Sequence, residues 1–275
     1  MPWLEANGIS IHYELSGNGP SLVLVHEMGG TLASWDGLFP TLSKRFRTLR
    51  YDQRGSGLSE KVRGSISTEQ LVDDLTAVLE ITGLAPPYRF VTVAAATMQA
   101  LIYMTRHPDR IASFAFCNPF TGADESRLAA LDERASLAER EGMRAAIGVT
   151  LDKSWPPDIG EKSTYLAYRG RYLAHDPVCF AALNRAIGRP NVAHLGKEVR
   201  VPTMVVAGRF DQVRPPAASE AFARTIPGAR FELIDAVHMM PAQAGAALLP
   251  LLQDFFDAQS ELGLAAGSGR AEGVQ

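Results

Sequence analysis

The sequence predicts an α/β fold, a mostly parallel sheet flanked by helices. Short continuous apolar runs, such as Ser21 to Val25 and Ile111 to Cys117, read as strands buried on both faces. Between these runs lie segments with helical spacing, and such alternation is how a parallel sheet is wound. The length, 275 residues with 46% hydrophobic and 21% charged, is enough for one large domain with an insertion.

The elements follow in order. Gly8 to Leu15 is a strand after an Asn7-Gly8 turn signal. Ser16-Gly17-Asn18-Gly19-Pro20 is a loop, and Ser21 to Val25 a buried strand. Ser34 to Ser43 has helical spacing, and Phe46 to Tyr51 is a strand. A helix runs from Thr68 to Ile81 and ends at Thr82-Gly83. Tyr88 to Val93 is a strand. Met98 to Arg106 is a helix that stops at His107-Pro108. Ile111 to Cys117 completes this half. Residues 121–195 are rich in Ala, Arg and Glu, with helical spacing and no buried-strand run, and predict an inserted helical lid. The alternation resumes with a strand at Val201 to Ala207, a helix at Pro216 to Ile226, a strand at Arg230 to Ile234 and a helix at Ala242 to Phe256. The expected organisation is a core of residues 1–120 and 196–260, a lid of residues 121–195 and a flexible tail of residues 261–275.

Composition excludes several classes of function. The net charge is −3, from 27 basic and 30 acidic residues, which gives no electrostatic case for nucleic acid or an anionic membrane. No apolar run approaches the ~20 residues of a membrane span. The start, Met1-Pro2-Trp3-Leu4-Glu5, has no basic-then-apolar signal pattern, so a cytoplasmic setting is expected. Cys117 and Cys179 are too few for a disulfide framework. There is no Gly-x-Gly-x-x-Gly after a strand, no phosphate-binding loop and no close His ligand spacing, so no cofactor and no metal is expected. The expected partner is a small-molecule substrate, and the composition is compatible with a homodimer.

Several landmarks then fall in a familiar order. Val25-His26-Glu27-Met28-Gly29-Gly30 follows a buried strand. Tyr51-Asp52-Gln53-Arg54-Gly55-Ser56-Gly57-Leu58-Ser59 follows the next. Pro202-Thr203 leads to Gly208-Arg209-Phe210-Asp211, and Val237-His238 lies beyond. Over about residues 3–257 the chain resembles the α/β-hydrolase superfamily. Its lid, with Glu141-Gly142-Met143, Trp155, His175-Asp176-Pro177 and Asn184-Arg185-Ala186-Ile187, is similar to that of the 3-oxoadipate enol-lactonases, as is Phe116-Cys117-Asn118. The resemblance implies that Asp211 orients His238 and that the backbone N–H groups of Met28 and Ala95 hold an oxyanion.

The nucleophile departs from the family pattern. The family carries Gly-x-Ser-x-Gly on a strained strand-to-helix turn. Counting back from Arg106-His107-Pro108 puts the serine position at Ala94, within Thr92-Val93-Ala94-Ala95-Ala96. Both glycine positions, Thr92 and Ala96, have changed too. An isolated Ser→Ala replacement would leave them intact, so the loss belongs to the natural sequence. Without glycine a left-handed turn costs about 1–3 kcal/mol, and a relaxed elbow is the expectation. Thr92, Thr97 and Cys117 are nearby, but each reads as an ordinary hydrogen-bonded or buried side chain.

What remains is a base without a serine. His238 can still activate water or take a proton from a bound compound. Glu27 stands where the family has glycine, and it is read as a carboxyl that assists His238, either protonated by burial and donating a hydrogen bond or holding a water, the alternative being a side chain that points outward or pairs with an arginine. His26 and Trp155 are expected to line the substrate pocket. Arg134, Arg140, Arg169 and Arg171 are the lid arginines that could fork onto a carboxylate. The reading is a cofactor-free hydrolase or lyase for a small lactone, enol ester or β-dicarbonyl compound. The alternatives are a non-catalytic, receptor-like binding protein and a serine hydrolase whose nucleophile lies elsewhere.

Overall fold

Side-chain alternation along the buried strands sorts the apolar residues onto two cores. Leu22 and Leu24 face one core, Val23 and Val25 the other. Phe114 and Phe116 face away from Ala115 and Cys117 in the same way. A sheet that is apolar on both faces has to be covered on both.

The computed structural model describes residues 2–268. Its strands are β1 (Trp3–Ala6), β2 (Ile9–Ser16), β3 (Ser21–Val25), β4 (Arg47–Tyr51), β5 (Tyr88–Val93), β6 (Ile111–Cys117), β7 (Thr203–Gly208) and β8 (Arg230–Ile234). They form one sheet in the order β1-β2-β4-β3-β5-β6-β7-β8. The β1–β2 and β2–β4 pairs are antiparallel, and the remaining pairs are parallel.

The helices are α1 (Phe39–Leu42), α2 (Thr68–Ile81), α3 (Ala96–Arg106), α4 (Glu125–Glu141), α5 (Met143–Ala146), α6 (Leu151–Ser154), α7 (Lys162–Leu173), α8 (Pro177–Gly188), α9 (Pro216–Ala223) and α10 (Met240–Ser268). Side chains of α2, α3 and α9 join one core, and those of α1 and α10 the other. Helices α4–α8 fall between β6 and β7. They bury Trp155, Tyr165, Tyr168, Tyr172 and Phe180 against Val237 and Met239, which flank His238.

Four expectations change. The Asn7-Gly8 signal joins β2 to a strand, β1, that the sequence reading lacks. Both residues take positive φ (45° and 72°), as a tight hairpin turn needs. The helix expected over Ser34 to Ser43 divides into a short 3-10 turn, Leu32–Trp35, and α1. Pro40, with no N–H to donate, sits in the first turn of α1. Strand β7 starts at Thr203 rather than Val201, because Pro202 cannot donate to a ladder. Of the expected tail, residues 261–268 are helical in α10, and residues 269–275 lie outside the described residues. No helix among the described residues is long and apolar enough to cross a membrane.

Candidate active site

The turn between β5 and α3 keeps its strain. Ala94 has φ +50°, a left-handed conformation that costs an L-residue about 1–2 kcal/mol. The expected relaxation therefore does not occur. Neighbours over-determine the turn: Ala94 N–H donates to Cys117 O at 2.9 Å, and Ala94 O accepts from Thr97 N–H and Phe120 N–H, each at 3.1 Å. A methyl group suffices to hold this geometry because the bonds that fix it come from the backbone.

The same bonds aim a donor. In a trans peptide the N–H points opposite to the C=O. Ala94 O faces Thr97 and Phe120, so the Ala95 N–H faces the other way, and Ala95 lines the cavity beyond. The loop after β3 repeats the arrangement. Glu27 O accepts from His26 Nδ1 (2.7 Å) and from Gly30 N–H (3.0 Å), which turns the Met28 N–H away from them. Met28 lines the same cavity. Neither N–H has a protein acceptor among the described residues.

His238 follows β8. Its Nδ1 lies 2.7 Å from Asp211 Oδ2. The other Asp211 oxygen accepts from the Val213 and Arg214 N–H groups, both at 2.8 Å. Asp211 is buried and its side chain has no exposed surface. With Nδ1–H engaged by the carboxylate, His238 keeps an Nε2 lone pair, and the residue lines the cavity with Ala94 and Glu27. The backbone is held as well, since His238 N–H donates to Ser154 O at 3.1 Å.

Glu27 is buried and has no arginine partner among the described residues. Its Oε1 accepts from Ser34 Oγ (2.7 Å) and Tyr168 OH (2.6 Å). Its Oε2 is buried with no hydrogen-bond partner. The carboxyl curls over Gly30, where an added Cβ would stand 2.4 Å from Oε1. Gly29, at φ +78°, lets Tyr172 approach so closely that a Cβ would fall 2.5 Å from its ring. Burial and the adjacent Glu27 carboxyl push the Tyr168 hydroxyl well above the usual tyrosine range.

The cavity that these groups line encloses about 40 Å³. A water requires on the order of 15 Å³ on this measure, so the space admits a few atoms at a time. Arg127, Arg134 and Arg214 complete its wall. Burial lowers all three guanidinium groups, Arg134 to about 10.

Two expected pocket residues lie elsewhere. His26 is tied into the backbone: its Nε2 accepts from Gln53 N–H at 3.0 Å, and Gln53 Nε2 donates to His26 O at 2.6 Å. It sets the loop that aims Met28 and does not line the cavity. Trp155 is fully buried among Tyr165 and Tyr168, with Nε1–H donated to Ile159 O at 2.8 Å, and does not line it either. Thr92 and Thr97 are buried with their hydroxyls 3.1 Å apart. Cys117 is fully buried, and burial with the nearby Glu27 raises its thiol to about 12. Of the four lid arginines, Arg134 alone reaches the cavity. Arg140 is exposed near Glu141, Arg169 lies outside it, and Arg171 stacks over Tyr168.

Sequence reasoning did not single out Arg127, Arg214, Tyr168 or Ser34, and it noted Asn118 only within the Phe116-Cys117-Asn118 strand end. Two of them carried a signal. Arg214 stands three residues after Asp211 on the acid loop, and Tyr165, Tyr168 and Tyr172 mark one buried helix face at i, i+3 and i+7.

Comparisons with known proteins identify the fold. The sequence profile of the α/β hydrolase fold matches residues 20–243. A provisionally named carbamate hydrolase, RutD of Azorhizobium caulinodans, is 26% identical over 246 residues, 86% of this chain and 90% of its own. A 3-oxoadipate enol-lactonase of Acinetobacter baylyi is 24% identical over 246 residues, 86% of this chain and 89% of its own. The crystal structure of the enol-lactonase from Burkholderia xenovorans LB400 superposes with a TM-score of 0.87 at 29% identity. It covers 93% of this chain and all of that one.

Proposed function

The chain belongs to the α/β-hydrolase fold family, and from that premise we propose that it acts on a small carbonyl compound with His238 as base and no covalent intermediate. The observation that carries the reading is the retention of every part of a hydrolytic site around a residue that cannot be a nucleophile. Ala94 keeps the left-handed turn, Ala95 and Met28 present N–H groups, and His238 keeps its Asp211.

The hydrolytic form of the reaction follows from these positions. His238 Nε2 takes one proton from water as the water oxygen bonds to the carbonyl carbon of a lactone or enol ester. The Met28 and Ala95 N–H groups hold the oxyanion that forms. Glu27 Oε2 accepts the second hydrogen of that water and orients it. The carbon–oxygen bond then breaks, and the imidazolium returns its proton to the departing enolate or alkoxide. Asp211 stabilises the cation between the two transfers. A β-dicarbonyl compound would use the same base on a C–H bond instead. Helices α4–α8 serve as the lid, since Tyr168 bonds Glu27 and Ser154 bonds the His238 backbone.

The test is turnover by the wild type and by His238→Ala of enol-lactones, simple lactones, aryl esters and β-diketones, followed by NMR. The expected result is turnover of at least one class, reduced about 10²–10⁴-fold in the variant. Equal rates in both proteins would remove His238 from the chemistry. Binding without any turnover would leave a receptor.

A further inference from the structure

We propose that a second hollow, walled by His12, Leu58, Arg171 and His175, is a binding site for a one-ring aromatic carboxylate that carries a hydroxyl group. The site is independent of the reading above, because none of its lining residues lines the cavity at His238.

Four separate segments build the hollow. Strand β2 contributes His12, the loop after β3 Leu32, the loop after β4 Leu58, and the end of α7 with the residues after it Arg171 and His175. The space is about 280 Å³, against about 40 Å³ at His238. A cavity of about 150 Å³ accepts a benzene-sized ring, so this one has room for a ring with substituents. The rim is apolar and exposed. Trp3 Nε1–H donates to Leu58 O at 3.2 Å, and the Trp3 ring packs on His12 with centroids 4.9 Å apart.

The polar groups of the wall differ in what they have left to bond. Asp52 has nothing to spare: Oδ1 accepts from Leu32 N–H at 2.7 Å, and Oδ2 accepts from Leu58 N–H at 2.9 Å and from His12 Nδ1 at 2.8 Å. His12 thereby commits Nδ1, and its Nε2 has no partner among the described residues. His175 is buried, and its Nε2–H donates to Gly29 O at 3.0 Å. Burial lowers this imidazole to about 4, so it is neutral and its Nδ1 carries a lone pair. No described residue donates to that lone pair. Arg171 is half-buried, with its guanidinium 5.7 Å from the Tyr168 ring centroid, and it forms no ion pair or hydrogen bond among the described residues.

These unspent groups define the ligand. The free lone pair of a buried, neutral imidazole is the complement of a hydroxyl hydrogen. A guanidinium without an acid is the complement of a carboxylate, which it binds through two parallel N–H bonds. The wall cannot supply that carboxylate itself, because its one acid, Asp52, is saturated. Leu32, Ala33, Leu58 and Ala174 offer the apolar contact that suits the faces of a ring. An unsubstituted aromatic acid would leave His175 unmatched, and a simple phenol would leave Arg171 unmatched. The rim also carries its own reporter, since Trp3 is exposed while Trp35 and Trp155 are fully buried.

The experiment measures binding of benzoate, the three monohydroxybenzoates, their methyl esters and phenol at pH 7.5, by calorimetry and by tryptophan fluorescence. The proteins are the wild type, Arg171→Gln, Ala174→Phe and Arg134→Gln, each first checked for an unchanged melting temperature. At least one hydroxybenzoate is expected to bind about tenfold more tightly than its methyl ester and about fivefold more tightly than benzoate. The Trp3 signal should follow the same curve as the heat. Arg171→Gln should weaken that acid about tenfold and leave its ester unchanged. Ala174→Phe, which fills the hollow from an exposed position, should abolish binding of both. Arg134→Gln, in the wall of the other cavity, should bind as the wild type does. Binding of no hydroxybenzoate, or equal binding of acid and ester, would overturn the proposal. So would full affinity in Arg171→Gln and Ala174→Phe, or heat without a tryptophan signal that disappears in Arg134→Gln, which would put the ligand at His238 instead.

Discussion

The side-chain amide of Asn118 donates to the carbonyl oxygen of His238 at 3.1 Å and to that of Val237 at 3.0 Å. The same side chain accepts from Gly208 N–H at 2.7 Å, at the end of the strand that leads to Asp211. Its neighbours Cys117 and Phe120 bond both sides of Ala94. One short segment after β6 thus keeps the base, the acid strand and the vacant elbow in register, and Asn118 adopts φ +47° to do it.

Replacing Asn118 should therefore act on stability and site together. Asn118→Ala leaves two buried carbonyls and one N–H without partners, each costing on the order of 1 kcal/mol, so a loss of about 2–4 kcal/mol is expected in urea unfolding. Asn118→Asp keeps the acceptor for Gly208 N–H and loses both donors. It should reduce kcat more than it changes KM, because it loosens the His238 carbonyl without altering the residues that line the cavity wall.

Tyr168 and Glu27 give a second prediction. Tyr168→Phe keeps the ring packed against Trp155 and removes one donor from a buried carboxyl. The expected destabilisation is about 1–2 kcal/mol by thermal unfolding. Glu27→Gln places an amide where the buried Oε2 has no partner, and its turnover should fall below that of Tyr168→Phe. Equal turnover in the two variants would show that Glu27 matters through its tie to α7 alone.

His175 predicts how stability changes in acid. Its Nε2 lies 3.0 Å from Gly29 O, and burial lowers its imidazole from 6.5 to about 4. Between those values the unfolded chain binds a proton that the folded chain refuses, so stability falls as pH drops below about 6.5. The contribution is complete above that pH and amounts to about 2 kcal/mol between pH 7.5 and pH 5. His175→Gln, which keeps an N–H donor for Gly29 O, should lose stability over that interval by about that much less than the wild type, measured by urea unfolding at both values.

The legibility of this chain divides by physical cause. Strands β3, β5, β6 and β8 and helix α2 carry their limits in local signals, apolar runs closed by Gly, Pro or a capping Ser67. Strand β1 has only four residues, alternately exposed and buried, and its apolar signal is correspondingly short. His238, Asp211, Glu27, Met28, Ala94 and Ala95 all line or adjoin one cavity because each sits on a loop that its strand delivers to the same sheet edge. His26 and Trp155 lie off the cavity because a ring near a site in sequence can be consumed by backbone bonds or aromatic packing, which spacing does not encode. Arg127 and Arg214 come together from α4 and the acid loop, 87 positions apart, and only the packing of the insertion over the sheet joins them.

The most direct measurement of the central claim is labelling by a fluorophosphonate probe, read by intact-protein mass spectrometry, on the wild type and on Ala94→Ser. The strained turn and the His238–Asp211 pair are present, and Ala94, Ala95, Met28 and His238 line one cavity, so on the proposed reading the serine is the part this variant supplies. One covalent adduct is expected on Ala94→Ser, at residue 94, and none on the wild type. An adduct on the wild type would reveal a nucleophile elsewhere, and an inert Ala94→Ser would show that the elbow, the base and the oxyanion donors do not form one working site.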